Sequence, residues 1–226
     1  MNIEIAMSVS GFLFLFILVT FLTSGALGSS IGFDVNPDDK LQKINNAPNK
    51  FKISIVLVLM SAVSVITLGV ILFIIFSPYN RILGVVWTIF RTGEGLIIIY
   101  NEINYWGLLN IARQYSVTSG AEKKALSDLG RTILQTRNSR FTFSQLLFCI
   151  GTLTYSILFV TYGVVPLIFG WLGLVAGILG IFGNGTKLVK PKIKVFEVLS
   201  TIGGLLAIVF EIIIGGWLIF YSFIIP

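Results

Sequence analysis

Apolar residues run along this chain in long blocks with few or no charges rather than alternating with polar ones. A block of about 20 such residues is what a helix needs to cross a hydrocarbon core of roughly 30 Å at about 1.5 Å per residue. Five blocks are visible: Ala6–Leu27, Ile53–Phe76, Ile82–Ile111, Phe141–Phe182 and Val195–Ile225. The fourth is about twice the length of one span, and Tyr162-Gly163-Val164-Val165-Pro166 sits near its middle. Helix geometry disfavours continuing through such a Gly and Pro turn. The block therefore reads as a hairpin of two helices, 141–161 and 166–182, which makes six spans. Ser24-Gly25-Ala26 offers small residues for signal cleavage, but Met1-Asn2-Ile3-Glu4-Ile5 has no basic residue and the apolar run exceeds the usual signal core, so the first helix is expected to be retained.

Composition narrows the class. Of 226 residues 55% are hydrophobic and 12% charged, about half the charge of an ordinary soluble domain, and a chain this small has too little interior to hide so much hydrocarbon. Such hydrophobicity excludes disorder, and a lone Cys149 excludes a disulfide scaffold. The expected fold is all-α, a single membrane domain over 1–226.

Basic residues mark the faces of that bundle. Lys40, Lys43, Lys50 and Lys52 follow helix 1; Arg113, Lys123, Lys124, Arg131, Arg137 and Arg140 follow helix 3; Lys187, Lys190, Lys192 and Lys194 follow helix 5. Of the 16 basic residues only Arg81 and Arg91 lie elsewhere. The positive-inside rule then places the three long loops in the cytoplasm and both termini outside a cell membrane. The net charge of +6 comes with no nucleic-acid-binding motif, so no nucleic acid partner is expected.

Two loops carry further chemistry. Ser119-Gly120-Ala121-Glu122 has capping-box spacing, and Leu126, Leu129 and Ile133 recur at helical spacing opposite Lys123, Lys124 and Arg131. That predicts a short amphipathic helix, lying either in the lipid headgroup layer or on the ends of its own bundle. Lys187, Lys190, Lys192 and Lys194 either hold anionic lipid headgroups or serve orientation alone.

Helix 3 concentrates the polar groups of the membrane interior. At about 100° per residue, Arg91, Glu94, Asn101, Glu102 and Tyr105 fall within roughly 100° of one another. Arg91 and Glu94, three apart, are placed to pair. Glu211 in helix 6 shares a face with Gly204, Ala207 and Gly215, small residues that let a neighbouring helix approach. Arg91, Glu94 and Glu211 all lie roughly 9–12 residues from the outer surface, near the midplane. Two acids and one base leave either a net negative site or a protonated carboxyl. This predicts a site that exchanges a proton or binds a cation; the plainer alternative is an ion pair that fixes helix register. Helix 5 presents Gly170, Gly173, Gly177, Gly180 and Gly183 as a packing strip, against helix 4 or 6 or against a second copy.

The chain has no histidine, which removes His-based acid catalysis, Ser–His nucleophiles and the usual zinc sites. Every Lys is in a loop, and the glycines lack a phosphate-cradling context. No cofactor and no enzyme activity are expected. The leading expectation is binding or passage of a small solute, ion or lipid at Arg91, Glu94 and Glu211, with Asn101, Glu102 and Tyr105 continuing the polar face. The competing class is an accessory or scaffold subunit, with membrane lipids, a second copy or another membrane protein as partners.

Three stretches carry a resemblance: Pro78-Tyr79-Asn80 leading into Phe90-Arg91-Thr92-Gly93-Glu94, the turn from Tyr162 through Pro166 to Gly173, and Phe210-Glu211 followed by Gly216-Trp217-Leu218-Ile219. From about Phe51 to the C-terminus the chain resembles the prokaryotic six-span membrane proteins grouped as domain of unknown function 4386. The resemblance implies the six-helix architecture and puts Arg91, Glu94 and Glu211 at motif positions, with no activity attached. Members often carry a basic residue in the turn after helix 4. This turn has none, so the orientation rests on the charge count.

Overall fold

A computed structural model describes residues 2–29, 36–190 and 193–224. Six helices in it are long and apolar enough to cross a membrane, and among the described residues there is no strand. In chain order the helices are α1 (Ile3–Ser24), which ends in a wider turn over Gly25–Ser29, α2 (Pro37–Asn46), α3 (Pro48–Phe76), α4 (Arg81–Trp106), α5 (Leu108–Val117), α6 (Gly120–Tyr162), α7 (Leu167–Val189) and α8 (Lys194–Ile224). The expected end of the last span at Ile225 falls outside the described residues.

Asparagine starts three of these helices, because its side-chain oxygen accepts an N–H that has no partner within the first turn. Asn2 accepts from Glu4 N, Asn36 from Asp38 N and Asn80 from Leu83 N. Asn80 also donates to Tyr162 Oη at 2.9 Å, tying the two short inter-helix turns together. Gly163 takes φ +61°, a left-handed conformation that closes α6 at the turn expected there.

The spans close into a ring. α1 packs on α3 and α8, α3 on α4, α4 on α6, α6 on α7, and α7 on α8. Phe12, Ile74, Ile89, Ile168, Val175 and Leu205 are among the large apolar side chains left exposed on its outside, as a lipid-facing surface requires. Inside, towards the short turns, Phe76, Trp87, Tyr155 and Phe159 pack as one aromatic cluster.

The loop helix departs from expectation. The residues read as a separate amphipathic helix are the first turns of α6, which runs without a break into span 4. Ser119 makes no side-chain capping bond. The buried stripe is also shifted: Ser127, Gly130, Leu134 and Arg137 face the bundle, whereas Leu129 is exposed. Gly130 is backed by Leu41 of α2, so this region packs on its own bundle through a helix that the charge pattern did not single out. Leu41 and Ile44 of α2 bury themselves with Phe51, Tyr105, Leu108, Leu109 and Ala112 on the basic-loop face.

The glycine strip of α7 is used within the chain. A methyl group added to Gly173 would meet Phe210 and Ser156, one on Gly177 would meet Leu153, one on Gly180 would meet Cys149, and one on Gly183 would lie 2.6 Å from Ser200 Cα. On α8, Ala207 is buried and Gly215 packs on Phe14 and Gly11 of α1. Gly204 is the exception to the expected packing face, with nothing within 4 Å of the place a Cβ would take.

Candidate functional site

α4 is the polar spine of the ring, and its charged residues sort into two clusters. In the first, Arg91 Nη1 lies 2.9 Å from Glu94 Oε2 one turn on, and Arg91 Nη2 lies 3.7 Å from Glu211 Oε1 on α8. The three residues singled out as a midplane triad therefore meet. Arg91 is 1% exposed, with its guanidinium between the rings of Trp87 and Phe148, at 5.4 and 5.0 Å from their centroids. Gly69 of α3 and Gly151 of α6 make room for its stem: a Cβ on either would come within 3.3 Å of Arg91 carbons.

Beside the triad is a cavity of about 150 Å³, walled by Ile17 and Phe21 of α1, Ser61 and Val65 of α3, Gln145 and Phe148 of α6, and Gly204 and Ala207 of α8. A cavity of that size holds a benzene-sized molecule. Arg91 Nε, Arg91 Nη1 and Glu94 Oε2 are buried without a hydrogen-bond partner. Nη1 and Oε2 are close enough for ion pairing but are not aligned for a hydrogen bond.

The second cluster lies two turns further along α4. Glu102 Oε1 accepts from both Nε and Nη2 of Arg137, at 3.1 and 2.8 Å. Asn101 donates to the Arg137 carbonyl at 3.1 Å, and the Arg137 guanidinium sits 3.8 Å above the centroid of the Tyr105 ring. Lys40 reaches in from α2 and donates to the carbonyl of Gly28 at the end of the first span. Burial, with Arg137 and Lys43 nearby, lowers the Lys40 ammonium from the usual 10.5 to about 8, against the opposing pull of Glu102.

The polar face of α4, continuous in the sequence, is divided in the structure. Asn101, Glu102 and Arg137 line a separate cavity of about 260 Å³, with Phe21 and Ile98 forming a wall common to it and the triad cavity. A third cavity, also about 260 Å³, is lined by Thr142, Asn184, Lys187, Glu197 and Ser200 and shares Gln145, Phe148 and Gly204 with the triad cavity. On the opposite face a cavity of about 440 Å³, bordered by Glu4, Phe76, Tyr79 and Tyr221, shares no lining residue with the triad. Arg137 and Lys40, which the charge pattern marks only as orientation signals, are buried in this second cluster. The available clue was spacing, since Leu134, Arg137 and Asn138 fall on one face of a helix that enters the membrane at Phe141.

Of the basic residues before the last span, Lys187 is half-buried, Lys190 and Lys194 are exposed, and Lys192 lies outside the described residues. Among the described residues no group of three His, Cys, Asp or Glu side chains is placed to hold a metal. No curated protein and no solved structure matches the chain. The model of the family described as Domain of unknown function (DUF4386) matches residues 9–221, nearly the whole chain, and this multi-pass membrane protein belongs to that family.

Proposed function

We propose that the helix ring is a binding or transport device for a small solute, with the Arg91, Glu94 and Glu211 triad as its contact point. One observation carries this reading: Arg91 Nε is buried with no hydrogen-bond partner in a residue that lines the cavity, beside the Arg91 Nη1 and Glu94 Oε2 ion pair. Buried polar atoms are almost always satisfied, so the partner of Arg91 Nε comes from outside the chain as water or solute. The scaffold alternative draws less support, because the glycine strip and the polar stripe that would contact other proteins are turned towards the chain's own helices. The charge asymmetry of the loops favours a cytoplasmic membrane with the basic loops inside and both termini outside.

The test uses Ser61→Cys, at the cavity wall, in a Cys149→Ala background. A small water-soluble methanethiosulfonate is expected to label Cys at this position in the folded, detergent-purified protein. Absence of labelling until the protein unfolds would mean a dry site and would remove the reading.

A further inference from the structure

We infer that the occupant of the triad cavity is a small organic ammonium ion, taken up by Glu211 in exchange for a proton. This rests on the solute-binding reading and specifies its chemistry. Among the described residues lining the cavity, the charged ones are Arg91, Glu94 and Glu211; those from α1, α3 and α6 bring none. The Glu102 and Arg137 pair beyond Phe21 and Ile98 is compensated within itself, and Lys40 beside it lines neither that cavity nor the triad cavity. With both carboxyls ionised the triad carries one negative charge in excess. A net charge in so apolar a place is unfavourable, so one positive charge completes the site.

Geometry assigns that charge to Glu211. Arg91 stands 2.9 Å from Glu94 but 3.7 Å from Glu211, and the Glu211 side chain is 10% exposed against 5% for Glu94. The guanidinium is thus committed to Glu94. The free space lies along the same face of α8 as Glu211, where Gly204 has nothing within 4 Å of a Cβ position and Ala207 is small. An ammonium head there meets the Glu211 carboxylate, with Ser61 and Gln145 supplying neutral oxygens in the same wall, while a chain of a few carbons meets Ile17 and Val65. The cavity of about 150 Å³ limits the ion to roughly the size of benzene. In the empty site the compensating charge is a proton on Glu211. On binding, the carboxyl O–H bond breaks, the proton leaves to water, and the carboxylate accepts N–H bonds from the incoming ammonium, so one proton is released per ion bound.

The experiment titrates detergent-purified, weakly buffered protein with propylammonium, propionate and propanol, following thermal unfolding and proton release with a pH indicator. Propylammonium is expected to raise the unfolding midpoint and to release about one proton per chain, and Glu211→Gln is expected to lose both effects while Glu122→Gln, at an exposed position of α6, keeps them. If Glu211→Gln does not fold, Gly204→Leu, which fills the space beside it, is expected to lose both effects instead. Equal stabilisation by propionate or propanol, or stabilisation by propylammonium without proton release, overturns the inference but leaves a solute site in place. No response to any of the three, with Cys at position 61 unlabelled, overturns both.

Discussion

Adding one methyl group at Gly183 and at Gly204 perturbs the same pair of helices in opposite ways. At Gly183 the new Cβ of Gly183→Ala would lie 2.6 Å from Ser200 Cα, against about 3.5 Å for carbon atoms in contact, so α7 and α8 must part by about 1 Å. On the order of 30 atom pairs across that interface, each contributing ~0.15 kcal/mol and giving up about 40%, lose ~2 kcal/mol. The helix preference of Ala over Gly returns at most about 1 kcal/mol. The net loss of about 1–2 kcal/mol lowers the unfolding midpoint by roughly 3–6 °C in a chain of this length. Gly204→Ala has nothing within 4 Å and retains only the helix preference, so its midpoint rises by about 1–3 °C. The assay is thermal unfolding in one detergent, read by circular dichroism. If the two variants melt together, or Gly204→Ala melts lower, the packing of α7 on α8 and the void beside Gly204 are both refuted.

Three further outcomes are expected. Lys40 titrates near 8 in the folded chain and near 10.5 when unfolded. The unfolded state therefore holds more protons between those values, and stability is lowest below pH 8 and rises towards pH 10.5. The ceiling is ~3.4 kcal/mol, cut to about 1–2 by partial solvent contact; midpoints measured from pH 7 to 10.5 should show the rise, and Lys40→Met should flatten it. Glu102→Gln removes the carboxylate that receives both Arg137 bonds and should destabilise by about 2–4 kcal/mol; the double variant with Arg137→Gln should recover most of it in a thermal melt, and equal losses would argue against a direct pair. Gly204→Leu should abolish thiol labelling at position 61 without altering the triad, since its side chain enters the cavity that Ser61 lines.

The six spans are legible because length and scarcity of charge are properties of contiguous sequence. The triad was legible too: Arg91 and Glu94 are one turn apart, and Glu211 lies at the same depth on a face of small residues. What brings Arg137 to Glu102 was harder to read. It depends on α6 extending some twenty residues beyond its apolar run and on α2 folding back over Tyr105 and Ala112, contacts between residues far apart in the chain. The same holds for Gly69 and Gly151, whose purpose appears only when α3, α4 and α6 are packed around one guanidinium. The glycines of α7 announce a close approach to helix 4 or 6 or to a second copy, and the structure packs them on both α6 and α8, the helices of spans 4 and 6.

The aromatic cluster towards the short turns has an electrical consequence. Trp87 stacks on Tyr155 at 4.6 Å, and Phe76 meets Tyr155 and Phe159 edge-on at 5.5 and 5.4 Å, between the triad and the cavity of the opposite face. A layer of rings is a poor conductor. On the solute-site reading, with water reaching the triad from the basic-loop face, most of the transmembrane voltage falls across this layer. On the same reading, an ion moving between the basic-loop face and Glu211 crosses little of that voltage, so its binding is insensitive to membrane potential. Movement past the rings is driven by nearly all of it, ~2.3 kcal/mol per charge for each 100 mV.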